Sequence, residues 1–179
     1  TDGKFLLRIE DTDQAREVKG SVEAHLNGLE WAGIAPDEGV VMEHGKVTER
    51  GDKGPYYQSK RLDLYRKHLD TLIEQGNAYP CFCTPERLEK MRNDQAAKKQ
   101  APMYDRLCCK LTKEESAARI AAGEKHVYRM KVPHNDTVTF VDDMRGKVEF
   151  KGHTIGAAVL LKGDGFPTYH LAHVIDDHF

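Results

Sequence analysis

Phe5-Leu6-Leu7-Arg8-Ile9 is a dense, nearly continuous apolar run of five residues, and Glu10-Asp11-Thr12-Asp13 cuts it off at once. A run so short and so apolar fits a strand covered on both faces of a parallel sheet. That strand constrains the chain more than any other stretch, because parallel strands occur with helices packed around them. The acidic residues then lie beyond the carboxyl end of the strand, where open α/β sheets bind ligands. Two uses of these carboxylates are open. They can cap and solvate a turn, or Glu10 can face a cleft and receive a cationic group such as an ammonium.

The segments that follow complete the α/β reading. In residues 21–33, Val22, Leu26 and Leu29 form one helical stripe, with Gly33 as the stop. Residues 36–55 are rich in glycine and charge and read as a loop. A strong helix follows, with Leu62, Tyr65, Leu69, Leu72 and Ile73 at helical spacing, Ser59 as N-cap and Gly76 at its end. The character changes at Pro80. Thr84-Pro85 opens one short helix, and Thr112 with Glu115 forms a capping-box pair for another that Gly123 stops. Three segments of strand character come next, 126–133, 137–150 and 157–171, the middle one a hairpin around Arg145-Gly146. The expected fold is α/β: a partial Rossmann-type parallel-sheet body over 1–79, an inserted α+β subdomain over 80–162, and a return to the body over 163–179.

Bulk composition excludes several classes. No apolar run approaches the ~20 residues of a membrane helix. Residues 1–5 have neither the basic start nor the apolar segment of a signal peptide. The formal net charge of −2 gives no overall basic signature for nucleic-acid binding, although a local patch can exist on a neutral protein. The four cysteines fall in two tight groups, Cys81 with Cys83 and Cys108 with Cys109; with no sign of secretion, disulfides are not expected.

Five ordered segments give a more specific reading: "GKFLLRIEDTD", "GPYYQSKRLDLY", "AYPCFCTPERLE", "YDRLC" and "LLKGDGFPTYHLAHVIDDH". Together they resemble the glutamyl-tRNA synthetases of bacterial and mitochondrial type, which are class I aminoacyl-tRNA synthetases. The resemblance runs from Gly3 to the end of the chain, and the "IEDTD" form separates it from the glutaminyl and eukaryotic cytosolic branch. It implies an enzyme that joins L-glutamate to the 3′ end of tRNA(Glu) through a glutamyl-adenylate, using ATP with Mg²⁺. By the same resemblance Glu10 contacts the α-ammonium of glutamate and Tyr169 lines the amino-acid pocket. His173 stands where the family usually has Asn, and Arg16 falls near the tRNA end. A carboxylate at a strand end suits an ammonium through charge-assisted hydrogen bonds, and a tyrosine offers a rigid wall with a polar tip.

The resemblance also places a His-x-Gly-His type ATP motif before Thr1, and a Lys-Met-Ser-Lys-Ser type loop and an anticodon-binding domain after Phe179. Without those phosphate-directed groups the electrostatic part of catalysis is missing, so the chain reads as an internal piece of the catalytic region that is inactive alone. The stretch 80–162 becomes the connective peptide that contacts the tRNA acceptor end. Arg87, Lys90, Arg92, Lys98, Lys99, Arg106 and Lys110 are its candidate phosphate contacts, or an ordinary solvated face. Some family members hold zinc there with Cys-x-Cys, a third Cys, and a His or Tyr. Cys81, Cys83 and Cys108 match the first three positions. Lys110 stands at the usual His, which leaves Tyr104 or Cys109 as the fourth ligand. A bacterial cytoplasmic or mitochondrial-matrix monomer is the implied setting.

Two other classes compete. One is the shortened paralogue that loads glutamate onto the queuosine base of tRNA(Asp), which shares the "RIEDTD" segment and the tyrosine-bearing zinc pattern. The other is a metal-binding or RNA-binding module without catalysis, in which His170, His173, Asp176, Asp177 and His178 hold a divalent ion.

Overall fold

A computed structural model describes residues 3–13, 16 and 18–179 of the chain. The fold is α/β, with five helices and eight strands among the described residues. It divides into two compact units: Thr1–Lys67 with Ala172–Phe179, and His68–Leu171. The insertion expected over 80–162 lies within the second.

In the first unit, β1 (Leu6–Leu7) pairs in parallel with β2 (Glu38–Glu43), with Leu6 opposite Glu38 and Leu7 opposite Gly39. On its other edge Ile9 bridges Tyr57, also in parallel, through Ile9 N–H to Tyr56 O at 2.8 Å and Gln58 N–H to Ile9 O at 3.0 Å. The crossover from β1 to β2 is helix α1 (Ser21–Trp31), which buries Leu26 against Val40 and Tyr56 with Leu6, Leu7 and Ile9 around them. Helix α1 ends as its sequence foretells. Gly33 takes a left-handed conformation, its N–H bonds Glu30 O, and Ile34 N–H bonds Leu29 O. The expectation of a strand covered on both faces is corrected: Phe5 is exposed and Leu6, Leu7 and Ile9 are only half-buried. β1 is an edge strand of its sheet, Ile9 beyond it makes an isolated bridge to Tyr57, and the apolar group around Leu26 packs against it.

Residues 36–55 are not the unstructured loop their composition suggests. They contain an antiparallel hairpin of β2 with β3 (Lys46–Arg50), with Glu43 opposite Lys46 and Gly39 opposite Arg50. His44 and Gly45 both have positive φ, which gives the two-residue turn whose twist matches the strands. Gly39 has a second constraint. At φ 100 its α-carbon lies so close to β1 that an added Cβ would stand 2.0 Å from Leu7 O. Only glycine permits that pairing.

Ser59 is not the N-cap of the long helix. Residues Gln58–Lys60 form a 3₁₀ turn, and helix α2 (Leu62–Glu74) begins after it. The Ser59 N–H donates to Asp11 Oδ1 at 2.8 Å and its hydroxyl to Asp11 Oδ2 at 2.5 Å. The turn is therefore capped by a carboxylate distant in sequence, and the serine side chain is taken up by that contact.

The second unit is built on the antiparallel sheet β4 (Ala78–Cys81), β5 (Val127–Met130) and β8 (Val159–Leu161), with β5 in the middle. Helix α3 (Pro85–Ala97) starts on Thr84, whose hydroxyl oxygen accepts from Arg87 N–H at 3.3 Å, with Pro85 in the first helical position. Helix α4 (Lys113–Ala121) has both bonds of the expected capping box: Glu115 N–H to Thr112 Oγ1 at 3.1 Å and Thr112 N–H to Glu115 Oε2 at 2.8 Å. The hairpin β6 (Thr137–Asp142) and β7 (Gly146–Lys151) turns where Arg145-Gly146 predicts. The strand expected over 157–171 is shorter than its apolar run. It stops at Leu161, and Tyr169 opens helix α5 (Tyr169–His178) instead of ending a strand. Pro167 ends the ladder there by bridging back to Leu161.

Candidate functional site

The acidic segment after β1 separates into three different environments. Asp11 caps the turn at Ser59, as described. Asp13 pairs with Arg16, whose Nε lies 2.5 Å from Asp13 Oδ2 at a largely exposed site. Glu10 is the carboxylate that stays open. It follows Ile9, the bridging residue beyond β1, with its side chain 55% exposed, and borders a cleft that Asp11 and Asp13 also line, with Arg8, Arg16, Lys19, His25 and Tyr57. So Asp11 caps the turn at Ser59, and Glu10 is one of the carboxylates bordering the cleft.

His173, on α5, approaches Glu10 Oε1 through Nδ1 at 3.9 Å and Asp177 Oδ2 through Nε2 at 3.1 Å. Its imidazole thus lies between two carboxylates. Tyr169 is exposed at the first residue of α5 and makes an edge contact with His170, ring centres 6.0 Å apart.

Asp176 is one residue before Asp177 yet lies in a wholly different environment. It is buried and receives Gln58 Nε2 at 2.8 Å and the Tyr65 hydroxyl at 2.9 Å. Arg61 Nε stands 2.9 Å from its Oδ1 as a charge contact without hydrogen-bond alignment, and Arg8 Nη1 lies at 3.8 Å. Burial and the adjacent Asp176 carboxylate push the Tyr65 hydroxyl well above the ordinary tyrosine range, so it stays protonated and donates. Sequence reasoning placed Asp176 among metal ligands; the structure spends it on this network. The hub joins α5 to the segment after β1 and to the start of α2, and no local sequence signal marks it.

In the second unit, the thiols of Cys81, Cys83 and Cys108 converge, their sulfurs all within 4.8 Å of one another. Cys81 and Cys83 flank the end of β4, and Cys108 sits in the 3₁₀ turn Leu107–Lys110. Tyr104 comes with them: its hydroxyl is 3.3 Å from Cys81 Sγ and 3.3 Å from Cys83 Sγ, while Cys83 Sγ is 3.6 Å from Cys108 Sγ. Among the described residues this is the group of three or more His, Cys, Asp or Glu side chains close enough to hold a metal ion. The His170, His173, Asp176, Asp177 and His178 set is not brought together in that way, and Cys109 lies outside the converging sulfurs.

The fit to zinc can be tested on these distances. A tetrahedral ion with bonds of about 2.3 Å to sulfur and about 2.1 Å to oxygen separates its ligands by roughly 3.8 Å between sulfurs and roughly 3.5 Å from sulfur to oxygen. The Cys83–Cys108 edge and the two edges from Tyr104 to Cys81 and Cys83 are within a few tenths of an ångström of those values, and the sulfur–sulfur edge is too long for a disulfide. Burial raises the Cys81 thiol, but the Tyr104 hydroxyl, the Cys83 N–H and Arg129 outweigh it and bring it below the usual thiol value. Cys83, which shares its surroundings with two other sulfurs, is pushed up to about 11, by burial first. Tyr104 is raised by burial and by its bonds to Cys81 and Cys83.

Of the candidate phosphate contacts, Arg87, Lys90 and Lys98 line a groove along α3, where Asp94 and Asp105 accompany them. Arg87 is ion-paired to Asp105, and Arg106 donates to Val132 O at 2.8 Å. The groove is of mixed charge.

A sequence-family model for class I tRNA synthetases (E and Q), catalytic domain, matches residues 1–179. The chain belongs to that family. Its curated relatives include the glutamate–tRNA ligase of Finegoldia magna, 51% identical over 179 residues that cover 98% of this chain and 37% of the relative. That of Gloeobacter violaceus is 53% identical, covering 98% of this chain and 32% of the relative. A crystal structure of a glutamate tRNA ligase from Elizabethkingia meningosepticum in complex with its amino acid superimposes with a TM-score of 0.84 at 38% identity, covering 98% of this chain and 35% of that one. The glutamate-tRNA synthetase of Elizabethkingia anophelis gives 0.85 at 38% identity, over 98% of this chain and 36% of that one. This chain thus spans about a third of the length of the proteins it matches. The α/β fold is the class I Rossmann type, and no helix among the described residues is long and apolar enough to cross a membrane.

Proposed function

We propose that this chain is the glutamate-recognising part of the catalytic domain of a glutamate–tRNA ligase, and that Glu10 receives the α-ammonium of L-glutamate. The observation that carries the reading is the division of labour after β1. Asp11 is held by Ser59 and Asp13 by Arg16, while Glu10, on the same cleft, keeps a side chain 55% exposed with the His173 imidazole 3.9 Å away. Tyr169 walls the amino-acid pocket and His173, beside Glu10, fills the place of the family's Asn. Arg16 and the basic residues along α3 meet the acceptor end of tRNA(Glu), and the whole protein uses ATP with Mg²⁺. Domain boundaries near 80 and 162, a monomeric state, and a cytoplasmic or mitochondrial-matrix location belong to the same reading.

Zinc is the metal that the donors of the second unit suit, and Cys81, Cys83, Cys108 and Tyr104 would hold it. A zinc ion bound there would supply a closed structural crosslink. Cys81 and Cys83 bring the end of β4 to it, and Tyr104 and Cys108 bring the segment after α3.

The test is Glu10→Gln in the full-length protein, measured by glutamate-dependent ATP–pyrophosphate exchange. A hydrogen bond to a charged group contributes about 1.5–3 kcal/mol, so glutamate KM is expected to rise by roughly 10- to 100-fold with ATP KM unchanged. A glutamate KM within twofold of the parent removes Glu10 from the pocket.

A further inference from the structure

Three thiolates around a divalent ion carry one excess negative charge, and a tyrosinate makes it two. In a buried site that excess is costly unless cations or hydrogen-bond donors face it. Two guanidiniums do so. Arg129, on β5, is buried to 9% exposure. It stacks over the Tyr104 ring with its guanidinium carbon 4.2 Å from the ring centre, and its buried Nε has no hydrogen-bond partner among the described residues. Its Nη1 donates to Ala157 O at 2.8 Å, which fixes the plane of the fork. Arg87, on the first turn of α3, places Nη1 3.3 Å from Cys83 Sγ while its Nη2 is ion-paired to Asp105. Each arginine is thus held by a second anchor, a carbonyl or a carboxylate, and faces one of the four side chains, Arg129 the Tyr104 ring and Arg87 the Cys83 sulfur.

An arginine that only packs against a sheet needs neither arrangement. A buried cation over the π face of Tyr104 also favours an electron-rich ring, which is what a ligating phenol oxygen requires. We propose that Arg129 and Arg87 are the positioning and charge-balancing residues of the Cys81, Cys83, Cys108 and Tyr104 site, and that they set its affinity for zinc. This rests on the zinc reading above. The orienting partners of metal ligands generally change affinity by about 10- to 100-fold when removed. The division is unequal: Arg129 stacks on Tyr104 from a buried position, and Arg87 touches Cys83 from a partly exposed one.

Zinc affinity of the full-length protein, measured by competition with a chromophoric chelator, tests this alongside the Co²⁺-substituted spectrum. Arg129→Met is expected to weaken zinc by about 10- to 100-fold, with Arg129→Lys between it and the parent. Arg87→Gln is expected to weaken it by about tenfold. The Co²⁺ form of Arg129→Met should keep its sulfur charge-transfer band but show shifted d–d bands, because the ligands remain and their geometry relaxes. Affinities within twofold of the parent for both Arg129→Met and Arg87→Gln overturn the proposal. A fall that Arg129→Lys shares in full with Arg129→Met overturns the charge-balancing role for Arg129. If Arg129→Met does not fold, the Arg87→Gln affinity decides by itself. A parent protein that binds no zinc defeats the zinc reading itself, a result distinct from zinc bound equally well by parent and variants.

Discussion

Replacing Asp176 with alanine should be among the most damaging single changes in the first unit. The carboxylate is buried among Gln58, Tyr65, Arg61 and Arg8, and the side chains of Arg61 and Arg8 are 4% and 13% exposed. Alanine leaves two cations with little solvent and no counter-charge, and leaves the Tyr65 hydroxyl and Gln58 amide without their acceptor. Breaking a buried pair from one side costs about 3–5 kcal/mol. For a chain of 150–250 residues each kcal/mol moves the melting temperature by about 2–4 °C, so a fall of roughly 6–20 °C is expected. Asp176→Asn keeps an acceptor oxygen and should lose less, on the order of half. Asp177→Ala, one residue on and exposed, is the control and should move the midpoint by under about 2 °C. Differential scanning fluorimetry of the three variants reads the result. Equal shifts for Asp176→Ala and Asp177→Ala would refute the reasoning, because they would mean that the buried hub contributes no more than a surface carboxylate.

Gly39→Ala should cost about 3 kcal/mol or more, since the new Cβ meets a backbone carbonyl at a positive φ; a urea midpoint equal to the parent's would show that β1 and β2 are not paired in this register. The Glu49 carboxylate sets a pH dependence. Burial raises its pKa, but Lys60 and the Tyr56 N–H outweigh this and hold it below the usual value. The unfolded chain therefore binds the proton more readily, so Glu49 stabilises the fold above the unfolded carboxylate value near pH ~4.3. That contribution is lost as the pH falls through the lower folded value. Glu49→Gln should flatten this part of an acid-unfolding curve, and an unchanged curve contradicts the assignment. Stripping metal with a strong chelator should release one zinc per chain and speed hydrogen exchange at Tyr79–Cys83 and around Cys108, with β1 to β3 unaffected; no released zinc, or exchange that rises everywhere, counts against a local crosslink.

Much of the fold was legible because its signals are local. Thr84-Pro85, Thr112 with Glu115, Gly33, Gly76 and Gly123 each act within a turn of where they stand, and each does in the structure what its neighbours suggest. The hairpin of β2 and β3 was hidden because charged residues interrupt its apolar alternation, and because its turn needs a left-handed histidine at His44. Ser59 misled for the opposite reason: a local capping preference lost to Asp11, a partner 48 residues away. The site shows the same division. Cys81, Cys83, Tyr104 and Cys108 could be grouped through the family resemblance, and the structure brings them together. Asp176 and Asp177 are neighbours of identical chemistry in the sequence; only tertiary packing makes one a buried hub and the other a solvated carboxylate. The arginines at the thiols were equally invisible, since Arg129 and Arg87 look like ordinary surface charge until β5 and α3 are placed.

The most direct measurement is a crystal structure of the full-length protein with a non-hydrolysable glutamyl-adenylate mimic. The account predicts the ligand's ammonium at about 3 Å from a Glu10 carboxylate oxygen. A Glu10 side chain that is turned to solvent and hydrated, with the ligand's ammonium held by other groups, would contradict it.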